Sequence, residues 1–399
     1  YNGVSDVELD EFPEDCIKTL PFEDFYENEY HQTGLRVIYE FASDWSLESE
    51  TTYRDGGSDA LLEAFGAPSV AENETTYTQQ QFKLGYDSGW LEGVLGLFYY
   101  DSSTETDNIV DSRVSGPTLL LDAEVTAVDT NRSEVENYAI FGALEFEVDH
   151  WLEGLSLILG ARYDFEENET TDVSDRSAGT IFSDPLNFLP NLLGSSSEGT
   201  EADYDAFLPK LGVIYDFNPN SSVSFVFQQG YRAGGSNNTL LSNEQFDYDP
   251  EYTDNYEIAF RNELLDGTLI ANANIFFTSW TDQQVSTEIA PLTNVIQNAG
   301  ESELYGGELT IDYRMNEQLR LNAAIGYVKT EFIEYISANN DFSGNEFARA
   351  PKLTASVGVD YDFGNGFSAV SDVSFTDGSY NNNATAVMGN SYTLTNVAL

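Results

Sequence analysis

Apolar and polar residues alternate with a spacing of two along most of this chain, most sharply in its second half. Between positions 319 and 327, Leu319, Leu321, Ala323, Ile325 and Tyr327 fall on one side, against Arg320, Asn322, Ala324 and Gly326 on the other. Leu353, Ala355, Val357, Val359, Tyr361 and Phe363 repeat the pattern, opposed by Thr354, Ser356, Gly358, Asp360 and Asp362. Leu309, Ile311 and Tyr313, and again Tyr256, Ile258 and Phe260, keep the same parity. Successive side chains of a strand point to opposite faces, so this period predicts strands with one uncharged face. Similar stretches lie at 35–41, 138–148, 155–165, 211–217, 223–231 and 271–277. Together they predict about fifteen strands, many of about ten residues, longer than the usual 5–6 and close to the 9–11 of a tilted membrane strand. No uninterrupted apolar run of about 18 residues occurs, so no membrane-spanning helix is predicted, and a span made of strands stays open.

The connections alternate between two kinds. Tight turns are predicted at Ser43-Asp44, Asp87-Ser88-Gly89, Asp149-His150, Asn218-Pro219-Asn220, Leu265-Asp266-Gly267, Asn316-Glu317 and Gly364-Asn365-Gly366. Between them come long polar loops, roughly 20 residues after Arg54, about 30 after Ser102, nearly 40 after Glu166 and mostly 10 to 20 thereafter, lengths unusual in compact domains. Short turns at one end and long loops at the other are the pattern of a transmembrane barrel. The aromatic residues agree with it. The apolar face ends in Tyr39/Phe41, Tyr215/Phe217 and Tyr361/Phe363 near the short turns, and in Tyr163/Phe165, Phe277 and Tyr327 toward the long loops, with aliphatic residues between. Two levels of amphipathic rings match the two interfaces of a hydrocarbon layer, whereas a soluble sandwich, whose strands also carry one uncharged face, has no reason to segregate them. The opposite face holds Glu, Asp, Thr, Ser, Asn, Gly and an occasional Arg, which suits a wet lumen or a docked plug.

Composition narrows the partners. The 399 residues include 16 Lys plus Arg against 69 Asp plus Glu, a formal charge of -53, which opposes binding to phosphate backbones and excludes nucleic acid as a natural partner. The single cysteine, Cys16, cannot form an internal bridge. With so many carboxylates, acid pairs at any spacing arise by chance, and no glycosidase-type pair can be read from them. His31 and His150 belong to no metal-binding motif, and the acidic stretch Asp247-Tyr-Asp-Pro-Glu251 lacks EF-hand spacing. The sequence therefore indicates no enzyme, no cofactor and no metal site. Asn73 and Asn168 open Asn-x-Thr triplets and read as loop polarity.

Several segments, in order, resemble the barrel of TonB-dependent outer-membrane receptors. They are Phe207-Leu-Pro-Lys-Leu-Gly-Val-Ile-Tyr-Asp-Phe217, Gly-Tyr-Arg-Ala-Gly-Gly at 230–235, Tyr248-Asp-Pro-Glu251 followed by Asn255-Tyr-Glu-Ile258, and Phe276-Phe-Thr-Ser-Trp-Thr-Asp282. Leu304-Tyr-Gly-Gly-Glu-Leu309, Ala350-Pro-Lys-Leu353 and Ser391-Tyr-Thr-Leu-Thr-Asn396 continue the series. The resemblance implies an all-β, antiparallel transmembrane barrel of about 22 strands, of which this chain supplies about fifteen. On that basis residues 1–399 form one partial barrel domain, without the N-terminal plug, its TonB-contacting segment or the last strands. The implied function is active transport across the Gram-negative outer membrane. A scarce nutrient such as an iron-siderophore complex would be the ligand, the TonB complex would act through the plug, and outer-membrane lipid and lipopolysaccharide would surround the barrel. A passive porin-like channel and a secreted, soluble acidic β-protein acting as a binding module or adhesin are the alternatives. Tyr231, Arg232, Asn237 and Asn238 are the candidate ligand-binding residues. At the loop end of a strand, a ring and a guanidinium can face an anionic or catecholate-like ligand, and the Gly-Gly-Ser-Asn-Asn stretch at 234–238 adds backbone freedom and hydrogen bonding. The plainer reading pairs Arg232 with neighbouring acids and leaves Tyr231 in the aromatic girdle.

A chain this acidic must coexist with anionic lipopolysaccharide, through bridging divalent cations or screening by external salt. We expect an organism living in salty water. Removing salt and Mg²⁺ together should lower the thermal midpoint of the folded barrel, read by the temperature at which it loses its compact mobility on a gel. A midpoint indifferent to both would count against the expectation.

Overall fold

The computed structural model describes residues 25–64, 67–116, 121–183, 194–239, 242–290, 293–337, 340–383 and 387–399. Cys16 lies outside them. The strands in chain order begin with β1 (Phe25–Ala42), β2 (Trp45–Ala64), β3 (Ala67–Asp87), β4 (Leu91–Gly116), β5 (Leu121–Glu147), β6 (Leu155–Ser183) and β7 (Gly194–Asn218). Next come β8 (Ser221–Arg232), β9 (Gly235–Thr239), β10 (Ser242–Tyr248), β11 (Glu251–Leu264), β12 (Leu269–Thr281), β13 (Gln284–Ala290) and β14 (Thr293–Asn298). The remainder are β15 (Glu301–Arg314), β16 (Leu319–Glu334), β17 (Ile336–Ser337), β18 (Asn340–Asp341), β19 (Leu353–Asp362), β20 (Ser368–Thr376) and β21 (Tyr392–Ala398).

One 15-stranded antiparallel sheet takes most of these in chain order, and the pairs β9–β10, β13–β14 and β17–β18 form separate two-stranded hairpins. The strand count expected from the alternation is therefore met. Among the described residues β1 pairs only with β2 and β21 only with β20, so both margins of the sheet are open. Antiparallel order is the direct outcome of the tight turns, which return the chain beside itself. At 265–267 the turn needs left-handed backbone at Leu265, Asp266 and Gly267, and at 364–366 two glycines supply it. The turn expected at Asp149-His150 is longer than expected. It runs from Val148 to Gly154, where the Asp149 carboxylate accepts the Gly154 amide at 2.8 Å and Gly154 takes φ 80°.

The larger correction concerns the long loops. The stretches expected as loops after Arg54, Ser102 and Glu166 are mostly strand. β4, β5 and β6 run for 26, 27 and 29 residues, and their ladder continues far past the aromatic rings. Above the membrane both faces of a strand are wet, so no apolar alternation is needed, and a search for that alternation passes over it. Polar cross-strand pairs take its place: Asn73 with Thr106 at 2.8 Å, Thr130 with Asp107 at 2.5 Å and Asn131 with Asp172 at 2.6 Å.

Lower down, the two faces separate as the sequence predicts. Phe260 is paired on one side with Val223 and on the other with Ala273, and the row continues through Leu309, Ile325, Ala355 and Phe375. On this face Leu35, Leu97, Ile140, Ile275 and Val357 are each more than half exposed. So large a continuous apolar surface marks contact with lipid or another protein. Rings border it at both levels. Tyr215 meets Phe217 at 5.1 Å and Tyr361 meets Phe363 at 4.8 Å near the short turns, while Tyr99 meets Tyr138 at 5.0 Å and Phe227 meets Tyr256 at 5.1 Å toward the loops.

The opposite face carries ion pairs. Glu48 receives Arg36 at 2.8 Å and Lys83 at 3.2 Å, and Arg320 pairs with Asp312. That face is concave, since β4 and β8, four places apart in the sheet, line one cleft together. The well-buried apolar cluster lies elsewhere, among the loops. Phe332 and Tyr335 pack with Val285 and Ala299, flanked by Phe342 and Phe347, and the Tyr335 hydroxyl is hydrogen-bonded to Thr287. Burial pushes the Tyr335 pKa up and keeps the hydroxyl protonated.

Leu309 and Thr310 are adjacent but face opposite ways. Leu309→Arg should cost about 2–4 kcal/mol of folding stability in detergent or lipid, as expected for a guanidinium in hydrocarbon. Thr310→Arg should stay within about 0.5 kcal/mol, like an ordinary exposed substitution. Urea titration of the two variants measures the contrast, and equal costs would contradict the assignment of faces.

Candidate functional site: a luminal cleft beneath the loop hairpins

The sheet's concave side opens into a cleft of about 710 Å³. Its floor comes from the inward residues of three adjacent strands: Phe98 and Tyr100 on β4, Asn137 on β5, and Arg162, Asp164 and Glu166 on β6. Strand geometry places them together, because Arg162, Asp164 and Glu166 alternate with the outward Ala161, Tyr163 and Phe165. Its other wall comes from the end of β8, from Ala233 to Ser236, from Tyr248 of β10, and from Gln284 and Ile296 of the β13–β14 hairpin.

On the floor, Arg162 grips Asp164 with two hydrogen bonds of 2.6 and 2.7 Å, and its guanidinium lies 4.8 Å from the centre of the Phe98 ring. Both the fork and the flat face of this cation are thus engaged. Glu166 accepts a hydrogen bond from Asn137 at 3.0 Å.

On the other wall, Glu251 ties the elements together. It is 5% exposed, and its carboxylate receives Arg232 Nε at 3.0 Å and the backbone amide of Gln284 at 2.6 Å. The Gln284 side chain donates onward to the carbonyl of Ala233 at 2.7 Å, while Asn298 bonds the backbone of Asp249 in both directions at 2.7 and 2.9 Å. One buried carboxylate therefore holds the end of β8, the start of β11 and the β13–β14 hairpin in register. Thr200 on the β7 extension reaches Ser236 at 2.9 Å, linking β9 to the same wall. The glycines after Arg232 permit this packing. A Cβ at Gly234 would lie 2.4 Å from the Tyr248 carbonyl oxygen, and one at Gly235 would lie 2.5 Å from its hydroxyl.

Of the residues singled out in the sequence, the structure brings Tyr231 and Arg232 into the cleft. Arg232 takes the plainer course, pairing with an acid. Tyr231 does not sit in the girdle. β8 pairs with β7 only as far as Gln228 opposite Lys210, and beyond that point Tyr231, which shares the parity of Phe225 and Phe227, lines the cleft against Tyr252 at 5.4 Å. Its hydroxyl is buried without a hydrogen-bond partner among the described residues. Tyr231 lies four residues beyond the Phe227–Tyr256 ring level, outside the lipid layer. There burial, with the Glu166 carboxylate adding to it, pushes its pKa up and keeps the hydroxyl protonated. Burial acts in the same direction on Tyr248. Asn237 and Asn238 lie on β9, opposite Phe246 and Gln245, and their side chains fall outside the described residues.

Sequence reading missed Arg162, Asp164, Glu166, Tyr248, Glu251 and Gln284. The signal for the first three was present as the charged parity of β6, but alternation alone cannot say which strands of a curved sheet share a cleft. Glu251 and Gln284 meet only through the fold. Among the described residues no group of three or more His, Cys, Asp or Glu is placed to hold a metal ion, and Glu251 in the acidic stretch is committed to Arg232 and Gln284.

Fold and cleft together describe the wall of a β-barrel with a polar and aromatic cleft on its concave side. The family model described as "TonB dependent receptor-like, beta-barrel" matches residues 14–399, and the chain belongs to that family. Its members are transporters of the Gram-negative outer membrane, not enzymes. Among solved structures, the ferric yersiniabactin uptake receptor FyuA from Yersinia pestis superposes with a TM-score of 0.76 at 15% identity, over 94% of this chain and 54% of that one. The siderophore receptor PiuA from Acinetobacter baumannii gives 0.66 at 16% identity, over 94% and 58%. The ferric citrate transporter FecA in its unliganded form gives 0.66 at 15% identity, over 93% and 54%. The chain thus spans little more than half the length of these receptors, and at such identities the likeness is one of fold.

Glu251→Ala leaves the Gln284 amide without its acceptor and Arg232 without its carboxylate. The expected cost is about 1–3 kcal/mol. Hydrogen exchange should quicken in β13 and β14 while the ladder of β4–β6 keeps its protection, a pattern read peptide by peptide by mass spectrometry.

Proposed function

We propose that this chain forms barrel wall of a TonB-dependent receptor that captures a scarce nutrient of the iron-siderophore type from outside the cell and admits it to the periplasm. Residues 1–399 would contribute strands around a separate plug, and the TonB complex would act on that plug. The observation that carries the reading is the cleft. It sits on the luminal side, past the outer ring of aromatics, and combines ring faces with charged and amide groups, the mixture that small-molecule sites use. The siderophore receptors among the structural neighbours support the choice of cargo, and no step of bond chemistry is needed. Selectivity resides in the residues that line the cleft and in the hairpins above it.

A passive channel is the competing design, and energy dependence separates the two. Iron-starved cells expressing the full-length receptor should accumulate ⁵⁵Fe from a mixture of ferric siderophores, and deleting tonB should reduce accumulation to the level of cells without the receptor. Uptake that survives the deletion would assign the barrel to passive diffusion.

A further inference from the structure

The charges in the cleft are arranged against an anionic cargo. Two guanidiniums line it, and each has its own carboxylate. Arg162 gives both donors of its fork edge to Asp164 and lays its face over Phe98, and Arg232 is paired through Nε with the buried Glu251. Each guanidinium is thus offset by a carboxylate, Arg162 through two hydrogen bonds and Arg232 through one contact that leaves its side chain 57% exposed. Glu166 is the remaining charged group on the floor; it has Asn137 as neighbour and no Lys or Arg ion pair among the described residues. Counted with Glu251 behind Arg232, two guanidiniums face three carboxylates, so the balance at the cleft is negative. The field of the whole chain, at -53, has the same sign and reaches approaching ligands. The rings of Tyr231 and Tyr248 line the cleft and offer electron-rich faces to a cation.

We infer that the cleft selects chelates whose outer surface is neutral or positively charged, with Glu166 as the group that reads the charge, and that it disfavours anionic chelates. This deepens the proposed function and rests on it, naming the class of cargo at the same site.

The test is binding by whole cells expressing the full-length receptor, held at low temperature so that energised uptake is arrested. Two ⁵⁵Fe-labelled probes are compared, the cationic ferric complex of desferrioxamine B and the anionic ferric complex of enterobactin. The cationic probe should be retained at least about tenfold more tightly, equivalent to about 1.4 kcal/mol. Glu166→Gln, which keeps shape and the hydrogen bond from Asn137, should erase most of that preference while leaving the receptor's folded mobility on a gel unchanged. Tighter retention of the anionic probe, no retention of the cationic one, or a preference that survives Glu166→Gln would each overturn the inference. TonB-dependent accumulation of the anionic chelate would overturn it while leaving the transport reading intact, and only loss of all energy-dependent iron uptake removes that reading.

Discussion

Every peptide group that enters hydrocarbon must find its hydrogen-bond partner within the protein, and the ladder is how this chain meets that demand. With no helix long and apolar enough to cross, the described residues answer with one continuous antiparallel sheet. Much else follows from that ladder. Its period of two sorts residues into a lipid face and a luminal face. The tight turn after β15 fixes the register in which Leu309 meets Ile325, and the β12 ladder sets Ala273 on its other side, so that a slip of one residue would expose Asp312 and Glu308 to acyl chains. The ion pairs of the inner face add little to stability in a wet lumen; they balance charge where the ladder has already placed it.

The part of the fold governed by hydrocarbon was legible in the sequence for the same reason. Lipid imposes a binary choice at each position, and the runs at 319–327 and 353–363 record it. Where the strands rise into water the constraint is relaxed, and the record fades. Residues 102–116 and 121–137 continue the β4–β5 ladder with Thr, Asp, Asn and Glu on both faces. The short alternation of Leu121, Ala123, Val125 and Ala127 with Asp122, Glu124 and Thr126 is too brief, within so polar a stretch, to set strand apart from loop. The candidate site divides along the same line. Arg232 and Tyr231 stood out because they sit beside glycines at a strand end. Glu251 looked like one acid among many. Its importance comes from burial and from Gln284, which is distant in sequence, and both are properties of the folded chain.

The Tyr-Gly-Gly-Glu opening of β15 shows how a short motif gains meaning from packing. A Cβ at Gly306 would stand 2.1 Å from the Tyr327 carbonyl oxygen and 2.7 Å from the Phe276 ring. The glycine lets the inward Phe276 lie across β15, beside the strand that leads to the loop core of Phe332 and Tyr335. Gly235 makes room for the Tyr248 ring in the same way, and Gly234 for the Tyr204 ring. In both places the absence of a side chain makes room for a ring from another strand.

Rigid walls bear on how the cleft can discriminate. The floor is built on β4, β5 and β6, whose ladders extend far beyond the ring level, so its side chains stand on backbone that costs no further ordering when a ligand arrives. The covering hairpins are different. They hang from a few hydrogen bonds centred on Glu251 and Asn298 and from the small apolar cluster around Phe332. The charge pattern of Arg162, Asp164 and Glu166 is fixed in advance by the ladders on both sides of β6. The cover, by contrast, depends on side-chain contacts that a single substitution at Glu251 or Asn298 removes.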